Sequence, residues 1–301
     1  MTDAPSSPPP RREWAGVGVA LAVALAVALS IMLTMLVLPG LQSGGTAEPA
    51  ASSSSSSSEA PAVPVLTAAQ VAALPAVRYD AVIGGLLAFT GDVTTVIGRY
   101  ELTEDAAIFG SDRRTAVARF PAKDFLDEPS TVVVVGSEGA WMLVLTPARV
   151  SLPSASAGSA PAQSAGWVAA SALHRIADLN DQIVISAGGQ TLTIKRAGSP
   201  DVSFDVGVGT PETPTPTGVT GYLQQRYLDA SQGADVYPIQ LTSLHSSAAD
   251  EPYEGEDGGL IGIHYNPDNA GAVSHGCVRL PEEAIIAVNR LPLGTPVSIV
   301  E

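Results

Sequence analysis

The sequence is poor in cysteine, in charge and in aromatic side chains. Cys277 is the only cysteine among 301 residues, which excludes an internal disulfide and any zinc module built from several cysteines. Charged residues make up 15% of the chain and aromatic residues 5%. Acidic residues outnumber basic ones by 30 to 15. Because nucleic acids and anionic lipid surfaces are bound by clustered Lys and Arg, we expect neither a nucleic-acid partner nor a polybasic membrane-binding face.

Lysine and arginine are absent between Arg12 and Arg78. Within this stretch, residues 16–38 are uncharged and almost entirely apolar, and a helix of that length spans the roughly 30 Å hydrocarbon layer. The positive-inside rule then predicts a cytoplasmic tail at 1–15, a transmembrane helix at 16–38 and an extracytoplasmic remainder. A cleavable signal peptide is the alternative, but its apolar core usually has only about 7–15 residues.

Serine, proline and alanine dominate residues 39–64, which include an unbroken serine run at 52–58. Such a segment buries too little apolar surface to offset the entropy lost on ordering. We predict a disordered linker that holds the rest of the chain away from the membrane.

Residues 65–165 are predicted to form a small β-rich domain. Short apolar and β-branched runs at 93–97, 131–135 and 141–145 predict strands, and the last two predict a hairpin. Thr67-Ala-Ala-Gln70 has the spacing of a capping box ahead of a short helix, which Pro75 ends. No cluster of titratable residues stands out, which favours a packing or binding module over an independent active site.

A second β-rich region covers residues 178–301. Alternating runs at 183–186 and 191–194 flank Gly188-Gly189 and predict a hairpin. Pro281 is predicted at N1, the first helical position, of a helix that ends near Asn289. Further strands are predicted at 201–208, 236–244, 260–265 and 295–300, and a stiff Pro- and Thr-rich loop at 210–218. The fold class is therefore mainly β, a β-sandwich with one or two short helices.

The residues that can carry chemistry concentrate around Cys277. It ends the turn-forming sequence Ser274-His275-Gly276-Cys277, and His264 precedes it by thirteen residues, far enough to lie on a neighbouring strand. A thiolate attacks carbonyl carbon, and an imidazole within hydrogen-bond reach makes that thiolate available near neutral pH. The glycine before the cysteine leaves backbone amides able to face an oxyanion. This pattern predicts nucleophilic catalysis by Cys277.

Two other interpretations apply to the same residues. An inert buried thiol is the first, although an unpaired thiol in an exported protein is open to oxidation. A zinc site from His264, His275 and Cys277 is the second, but no fourth ligand is evident and the spacing matches no common zinc pattern. We expect no metal, and we assign His174 and His245 to structural roles.

Two segments resemble the signature of the YkuD-type L,D-transpeptidases of bacterial cell walls: Ile261-Gly-Ile-His264 and Ser274-His-Gly-Cys-Val-Arg279. Upstream, Val206-Gly-Val-Gly209 and Thr213-Pro-Thr-Pro-Thr-Gly218 resemble the strand and loop beside the active-site cleft of that family. The resemblance covers roughly residues 178–301. One departure is the short loop between His264 and Ser274.

The resemblance implies a role for each residue of the motif. Cys277 attacks the amide between the third residue of a tetrapeptide stem, a diamino acid, and the terminal D-Ala. His264 takes the thiol proton and is oriented by the backbone carbonyl of Tyr265. The amides of Gly276 and Cys277 form the oxyanion hole. Ser274 and His275 shape the turn, and His275 also assists proton transfer.

Arg279 follows the cysteine by two residues. The resemblance implies that it holds a substrate carboxylate or the motif itself. An ion pair with Glu282 or Glu283, which follow it by about one turn, is the alternative.

The implied activity transfers the acyl group from Cys277 to an amine of a second stem peptide and makes a 3→3 cross-link. It requires no cofactor, and carbapenem β-lactams are the expected covalent inhibitors. An L,D-carboxypeptidase that uses the same thioester and a non-catalytic wall-binding scaffold are the alternatives. The resemblance further implies an actinobacterial, membrane-anchored protein whose catalytic domain works in the cell wall. Residues 65–165 resemble the SH3-like or wall-binding modules that precede such domains.

Overall fold

The computed structural model describes residues 60–250, 256–257 and 259–301. The predicted cytoplasmic tail, the predicted transmembrane helix and the linker as far as residue 59 lie outside the described residues. Within the described ranges, no helix is both long enough and apolar enough to cross a bilayer. Pro61, at the end of the predicted linker, accepts a hydrogen bond of 2.6 Å from the indole of Trp141, so this part of the segment is bound to the fold.

The described chain begins with the short helix α1 (Ala68–Ala72). The predicted capping box is confirmed, since the Thr67 hydroxyl accepts the Gln70 N–H at 3.3 Å and the Gln70 side chain accepts the Thr67 N–H at 2.8 Å. The two contacts satisfy amides that a helix start otherwise leaves unpaired.

Eight antiparallel strands form the first sheet, in the order β4-β3-β7-β6-β5-β2-β8 with β1 paired to β7. They are β1 (Leu87–Ala88), β2 (Gly98–Leu102), β3 (Ala106–Phe109), β4 (Ala116–Phe120), β5 (Val132–Glu138), β6 (Trp141–Thr146), β7 (Ser164–Ala169) and β8 (Leu173–Ala177). The predicted hairpin is confirmed as β5 and β6. The sheet continues beyond residue 165 as far as Ala177.

The predicted strand at 93–97 is wrong. Residues 93–95 form a single 3₁₀ turn, and Asp92 caps it by accepting the Thr94 N–H at 2.9 Å. An aspartate directly before a β-branched run competes for its backbone amides and favours a turn over a strand.

Ten strands form the second sheet, in the order β11-β10-β9-β20-β13-β14-β17-β19-β12-β18. They are β9 (Asp181–Ser186), β10 (Thr191–Arg196), β11 (Val202–Asp205), β12 (Gly207–Gly209), β13 (Val219–Asp229), β14 (Ala234–His245), β17 (Leu260–Tyr265), β18 (Gly271–Ser274), β19 (Val278–Leu280) and β20 (Pro296–Val300). A small pair, β15 (Ala249–Asp250) and β16 (Glu256–Asp257), stands apart. The fold class of the described residues is mainly β with two α-helices, consistent with the predicted sandwich.

The second sheet encloses one apolar core. Ile183 and Leu192 from the first hairpin meet Ile263 and Val278 from the far half of the sheet in the same fully buried cluster. Helix α2 (Glu282–Asn289) closes the cluster with Ile285 and Val288 among its buried side chains. The sheet must therefore curl so that both halves bury the same face.

Two sequence-based assignments in this region need correction, and one strand was not predicted. The hairpin around Gly188-Gly189 is confirmed, but the predicted strand at 201–208 divides at Val206, because β11 pairs with β10 whereas β12 pairs with β18 and β19. Pro281 is the N-cap and not N1, since its ψ of 166° is extended. The long strand β13 was not predicted at all.

The two sheets pack directly against each other. Tyr222 of β13 joins Val133, Val135 and Leu145 of the first sheet in a common buried cluster. A row of buried polar contacts continues this interface: Ser243 Oγ donates to the Gln163 side chain at 2.6 Å, Arg149 donates to the Ser246 carbonyl at 3.0 Å, and His245 Nε2 lies 2.9 Å from the Tyr79 carbonyl.

A cleft of about 630 Å³, which we call the inter-sheet cleft, opens beside this interface. Its walls are loops and strand ends of the first sheet, and β13 contributes Tyr222, Gln224 and Gln225. The fold gathers six charged side chains around it, a clustering that is not visible in the sequence of 65–165: Arg78, Asp105, Arg119, Lys123, Asp124 and Asp127.

The buried His245 should make stability depend on pH. Burial lowers the pKa of His245 from 6.5 to about 4, and nearby Arg149 acts in the same direction. Between these pH values the unfolded chain binds a proton that the folded chain does not. Stability is therefore fully present above about pH 6.5 and is lost as the pH falls toward 4, by up to about 3 kcal/mol.

We predict that His245→Gln flattens the difference in unfolding free energy between pH 7 and pH 5, measured by urea denaturation. His174→Gln is the matched control, because His174 is exposed on β8. Equal pH dependence in the wild type and in His245→Gln would contradict this assignment.

Candidate active site

The parallel pairing of β17 with β19 brings the predicted catalytic residues together. Ile263 pairs with Val278 and His264 with Arg279. Ile263 and Val278 are fully buried in the core. Because side chains alternate along a strand, Cys277 and His264 both extend from the opposite, outer face of the sheet. They are one strand spacing apart across the sheet and two residues apart along it, about 8 Å between Cα atoms.

The sulfur of Cys277 lies beside the backbone of β17. The Gly262 N–H donates to Cys277 Sγ at 3.4 Å, and the Leu260 carbonyl oxygen is 3.8 Å from the sulfur. The Cys277 side chain is half-buried. A Cβ atom built on Gly262 would lie 3.7 Å from the sulfur and 3.6 Å from Ile239, so the sulfur faces the same side of the sheet as Gly262. The thiol is thus not buried inside the core.

A tight turn delivers Cys277 to this position. Ser274 is buried, and its hydroxyl donates to the Cys277 carbonyl at 2.5 Å. Gly276 has φ of +99°, and a Cβ atom there would approach Ile261 to 3.3 Å and the Pro214 carbonyl oxygen to 3.4 Å. Only glycine adopts this conformation without strain.

The loop at 210–218 fixes the turn through side-chain hydrogen bonds. Thr215 Oγ1 donates to the Gly276 carbonyl at 2.8 Å and accepts the Gly209 N–H at 2.9 Å. Thr213 Oγ1 donates to the Ser274 carbonyl at 3.1 Å. Two buried threonines thus bind two carbonyls of the turn, and the Gly276 N–H makes no hydrogen bond with any described residue.

His264 is oriented by its own strand. Its Nδ1 lies 3.0 Å from the Tyr265 carbonyl oxygen, which assigns the proton to Nδ1 and leaves Nε2 as an acceptor. Burial lowers the pKa of His264 below its usual value, and the Arg279 charge acts in the same direction, whereas the hydrogen bond to Tyr265 opposes them. His264 is therefore neutral at pH 7 and can accept a proton.

Arg279 pairs with neither Glu282 nor Glu283, so that alternative is wrong. Its guanidinium lies 3.3 Å from the Asp268 carboxylate. Arg279 cannot reach these glutamates because it extends from the outer face of the sheet, whereas α2 packs on the core face. Glu282 instead accepts a hydrogen bond of 2.5 Å from Tyr237.

The remaining predicted residues divide into two groups. His275 is exposed in the turn, next to Gly276. His245 lies in the inter-sheet interface and His174 on β8, so neither belongs to the site. In the described ranges, no group of three His, Cys, Asp or Glu side chains could hold a metal ion.

Sequence analysis placed Gly262, Thr213 and Thr215 in segments that resemble the family's signature and its cleft loop, but it gave none of the three a role of its own. The Thr-Pro alternation at 213–217 was a signal in the sequence, because proline restricts the backbone and so limits where the threonine hydroxyls between the prolines can lie.

Residues 180–299 match the family model of the YkuD domain, described as the L,D-transpeptidase catalytic domain. Similar solved structures include the catalytic domain of the Enterococcus faecium L,D-transpeptidase, 20% identical over 40% of this chain and 97% of that one, with a TM-score of 0.28. The L,D-transpeptidase of Mycobacterium smegmatis is 17% identical over 57% of this chain and 100% of that one, with a TM-score of 0.32.

An L,D-transpeptidase of Mycobacterium tuberculosis is 18% identical over 57% of this chain and 90% of that one, with a TM-score of 0.33. A comparison with curated protein sequences found no match. The family match covers less than half of the chain and includes the motif that ends in Cys277.

Thr215→Val should destabilise the turn. The substitution keeps the shape of the side chain but leaves the Gly276 carbonyl and the Gly209 N–H without this partner. We expect the free energy of unfolding to fall by about 1–3 kcal/mol, measured by denaturant titration. Thr217→Val is the matched control, since its hydroxyl contacts only the exposed Glu301 carboxylate. Equal losses in the two variants would contradict a specific role for Thr215.

Proposed function

We propose that this chain is an L,D-transpeptidase that acts on peptidoglycan tetrapeptide stems through Cys277. The observation that carries the proposal is the outer face shared by β17 and β19, from which both the only cysteine of the chain and a histidine whose pKa is lowered by burial extend. The family match of residues 180–299 supports the same chemistry.

In the first step, the Cys277 thiolate attacks the carbonyl carbon of the diamino acid at the third stem position, and His264 holds the thiol proton. A C–S bond forms and the C–N bond to the terminal D-Ala breaks. The proton moves from His264 to the departing amine of D-Ala. The amides of Gly276 and Cys277 stabilise the oxyanion that forms in between.

In the second step, an amine of another stem attacks the thioester carbonyl. The C–S bond breaks, a new amide completes the 3→3 cross-link, and the surplus proton of the amine returns to sulfur through His264. Arg279, held by Asp268, binds a substrate carboxylate. Ser274 and His275 shape the turn, and His275 assists proton transfer. Thiolate and imidazole supply nucleophile and base, so the proposal includes no cofactor.

We also propose that residues 16–38 anchor the protein in the cell membrane with the N-terminus in the cytoplasm. The catalytic part would then work outside, at the cell wall. The actinobacterial origin stays a prediction from the sequence resemblance.

Cys277→Ala should abolish acylation by a carbapenem. Wild-type protein should gain the mass of one inhibitor molecule, whereas the variant should gain none, because the chain has no other thiol. Intact-protein mass spectrometry measures the adduct, and an unchanged unfolding midpoint shows that the variant is folded. An adduct that persists on Cys277→Ala would rule out this nucleophile.

His264→Ala should slow carbapenem acylation by about 10²–10⁴-fold, since the thiol loses its general base. Time-resolved mass spectrometry gives the rate, with His174→Ala as the matched control and His275→Ala in parallel. Near-normal acylation in His264→Ala together with a large loss in His275→Ala would transfer the base role to His275.

Turnover of a disaccharide-tetrapeptide tests the reaction itself. We expect release of D-Ala together with cross-linked dimers, separated by liquid chromatography. D-Ala release with monomeric tripeptide alone would indicate the L,D-carboxypeptidase, and no release at all would indicate the non-catalytic scaffold.

A further inference from the structure

The inter-sheet cleft and Cys277 lie on one continuous face of the second sheet. Gln225, at the cleft, pairs with Leu241 of β14, and Leu241 pairs with Gly262 of β17. The N–H of Gly262 in turn reaches the sulfur of Cys277. Residues directly opposite each other in a sheet extend to the same face. A single row of residues therefore leads from the cleft to the sulfur.

This row crosses three strand spacings, or about 14 Å. An extended peptide covers about 3.3–3.6 Å per residue, so roughly four residues bridge the distance. Gln225 and Leu241 are themselves buried, so the row gives the separation between the cleft and the sulfur rather than an open groove. At that separation, a peptide of four or more residues is long enough to reach from the cleft to Cys277.

Three aromatic rings pack in a chain beside the cleft. The ring of Phe125, from the first sheet's loop, lies 5.0 Å from the Tyr79 ring and 6.0 Å from the Tyr227 ring. Tyr227 follows Gln225 by two residues on β13, and the two pair with Ile239 and Leu241 of β14, so their side chains extend to the same face of the sheet. All three rings are half-buried and leave apolar surface for a ligand.

The cleft also contains a hydroxyl that has no protein partner. Tyr222 lines the cleft and is only 1% exposed as a residue, and its hydroxyl makes no hydrogen bond with any described residue. The hydroxyl is not among the fully buried polar atoms that lack a partner, so it keeps accessible surface of its own. A ligand group in the cleft that can donate or accept a hydrogen bond would satisfy it.

The charges of the cleft are balanced in sign. Arg119 pairs with Asp105 at 2.5 Å and Lys123 pairs with Asp127 at 2.9 Å, and Arg78, which also lines the cleft, pairs with Asp80 at 3.2 Å. A phosphate polymer would require a cationic site, and an uncharged sugar would require no ionic groups. Alternating cations and anions fit a ligand that carries both carboxylates and an ammonium group.

We propose that the inter-sheet cleft binds a peptidoglycan stem peptide, an inference that rests on the proposed transpeptidase function. Carboxylates of the stem lie toward Lys123 and Arg119, an ammonium group lies toward Asp105 and Asp127, and one polar group bonds to the Tyr222 hydroxyl. The glycan-proximal part of the acyl donor and the acceptor stem share this chemistry.

Tyr222→Phe tests whether the Tyr222 hydroxyl binds the ligand in the cleft. In a Cys277→Ala background, which prevents turnover, we expect the Kd for disaccharide-tetrapeptide to rise about threefold to tenfold in calorimetric titration. Folding is not compromised, because the hydroxyl bonds to nothing in the described protein; the unfolding midpoint should stay level or rise. An unchanged Kd would overturn the proposal.

Lys123→Gln tests whether the exposed Lys123 ammonium at the cleft binds the ligand. Lys123 and Asp127 are both well exposed, so the substitution should hardly affect stability while it weakens stem binding severalfold. Lys195→Gln on β10 is the matched control, with the same charge change on an exposed residue away from the cleft. Equal affinities in the two lysine variants, or equally tight binding of the disaccharide without peptide, would contradict a peptide site.

Turnover assays on variants that retain Cys277 show whether the cleft binds the donor stem or the acceptor stem. If the cleft holds the acceptor, Tyr222→Phe lowers dimer formation but not D-Ala release; if it holds the donor, both fall. Carbapenem acylation of the wild type reports the proposed function separately. Absence of an adduct would refute the cysteine enzyme, whereas unchanged stem affinity in both cleft variants would refute only the cleft.

Discussion

The parallel pairing of β17 with β19 is the constraint on which the site depends. Its register places Cys277 and His264 on the outer face and Ile263 and Val278 in the core. A shift of one residue would exchange the two faces, burying the sulfur and exposing the apolar side chains. The hydrophobic free energy of the core therefore also fixes the geometry of the site. Parallel neighbours require a long connection, and here it contributes β18, which pairs with β12.

The turn before β19 is held by side chains rather than by regular backbone pairing. Gly276 occupies a conformation that other residues rarely adopt, and such a turn persists only where its surroundings determine it. Thr213 and Thr215 provide those surroundings by binding carbonyls of the turn, and Ser274 closes it from within. With these carbonyls bound, the backbone conformation around Gly276 is fixed by contacts within the protein.

Local signals predicted much of the fold. The capping box at Thr67, the hairpin around Gly188-Gly189 and the motif ending in Cys277 each depend on neighbours in sequence, and the structure agrees with the first two. Strand β13 could not be predicted, because the polar run Gln224-Gln225-Arg226 interrupts its apolar alternation. These side chains find partners only in the folded protein: Gln225 donates to Asp124, and Arg226 donates to carbonyls at the end of α2. The Asp268 partner of Arg279 was missed for the same reason.

Strand β13 also explains why the first sheet bears on the site. Its neighbouring residues Tyr222 and Leu223 enter different clusters, one shared with the first sheet and one in the core beneath Cys277. Buried polar groups are stable only when paired, and Gln163, His245 and Arg149 all find partners across the interface. Sliding one sheet on the other would break these contacts together. The first sheet is therefore held at a fixed position on the second sheet, and Phe125 of its loop packs against Tyr227 of β13.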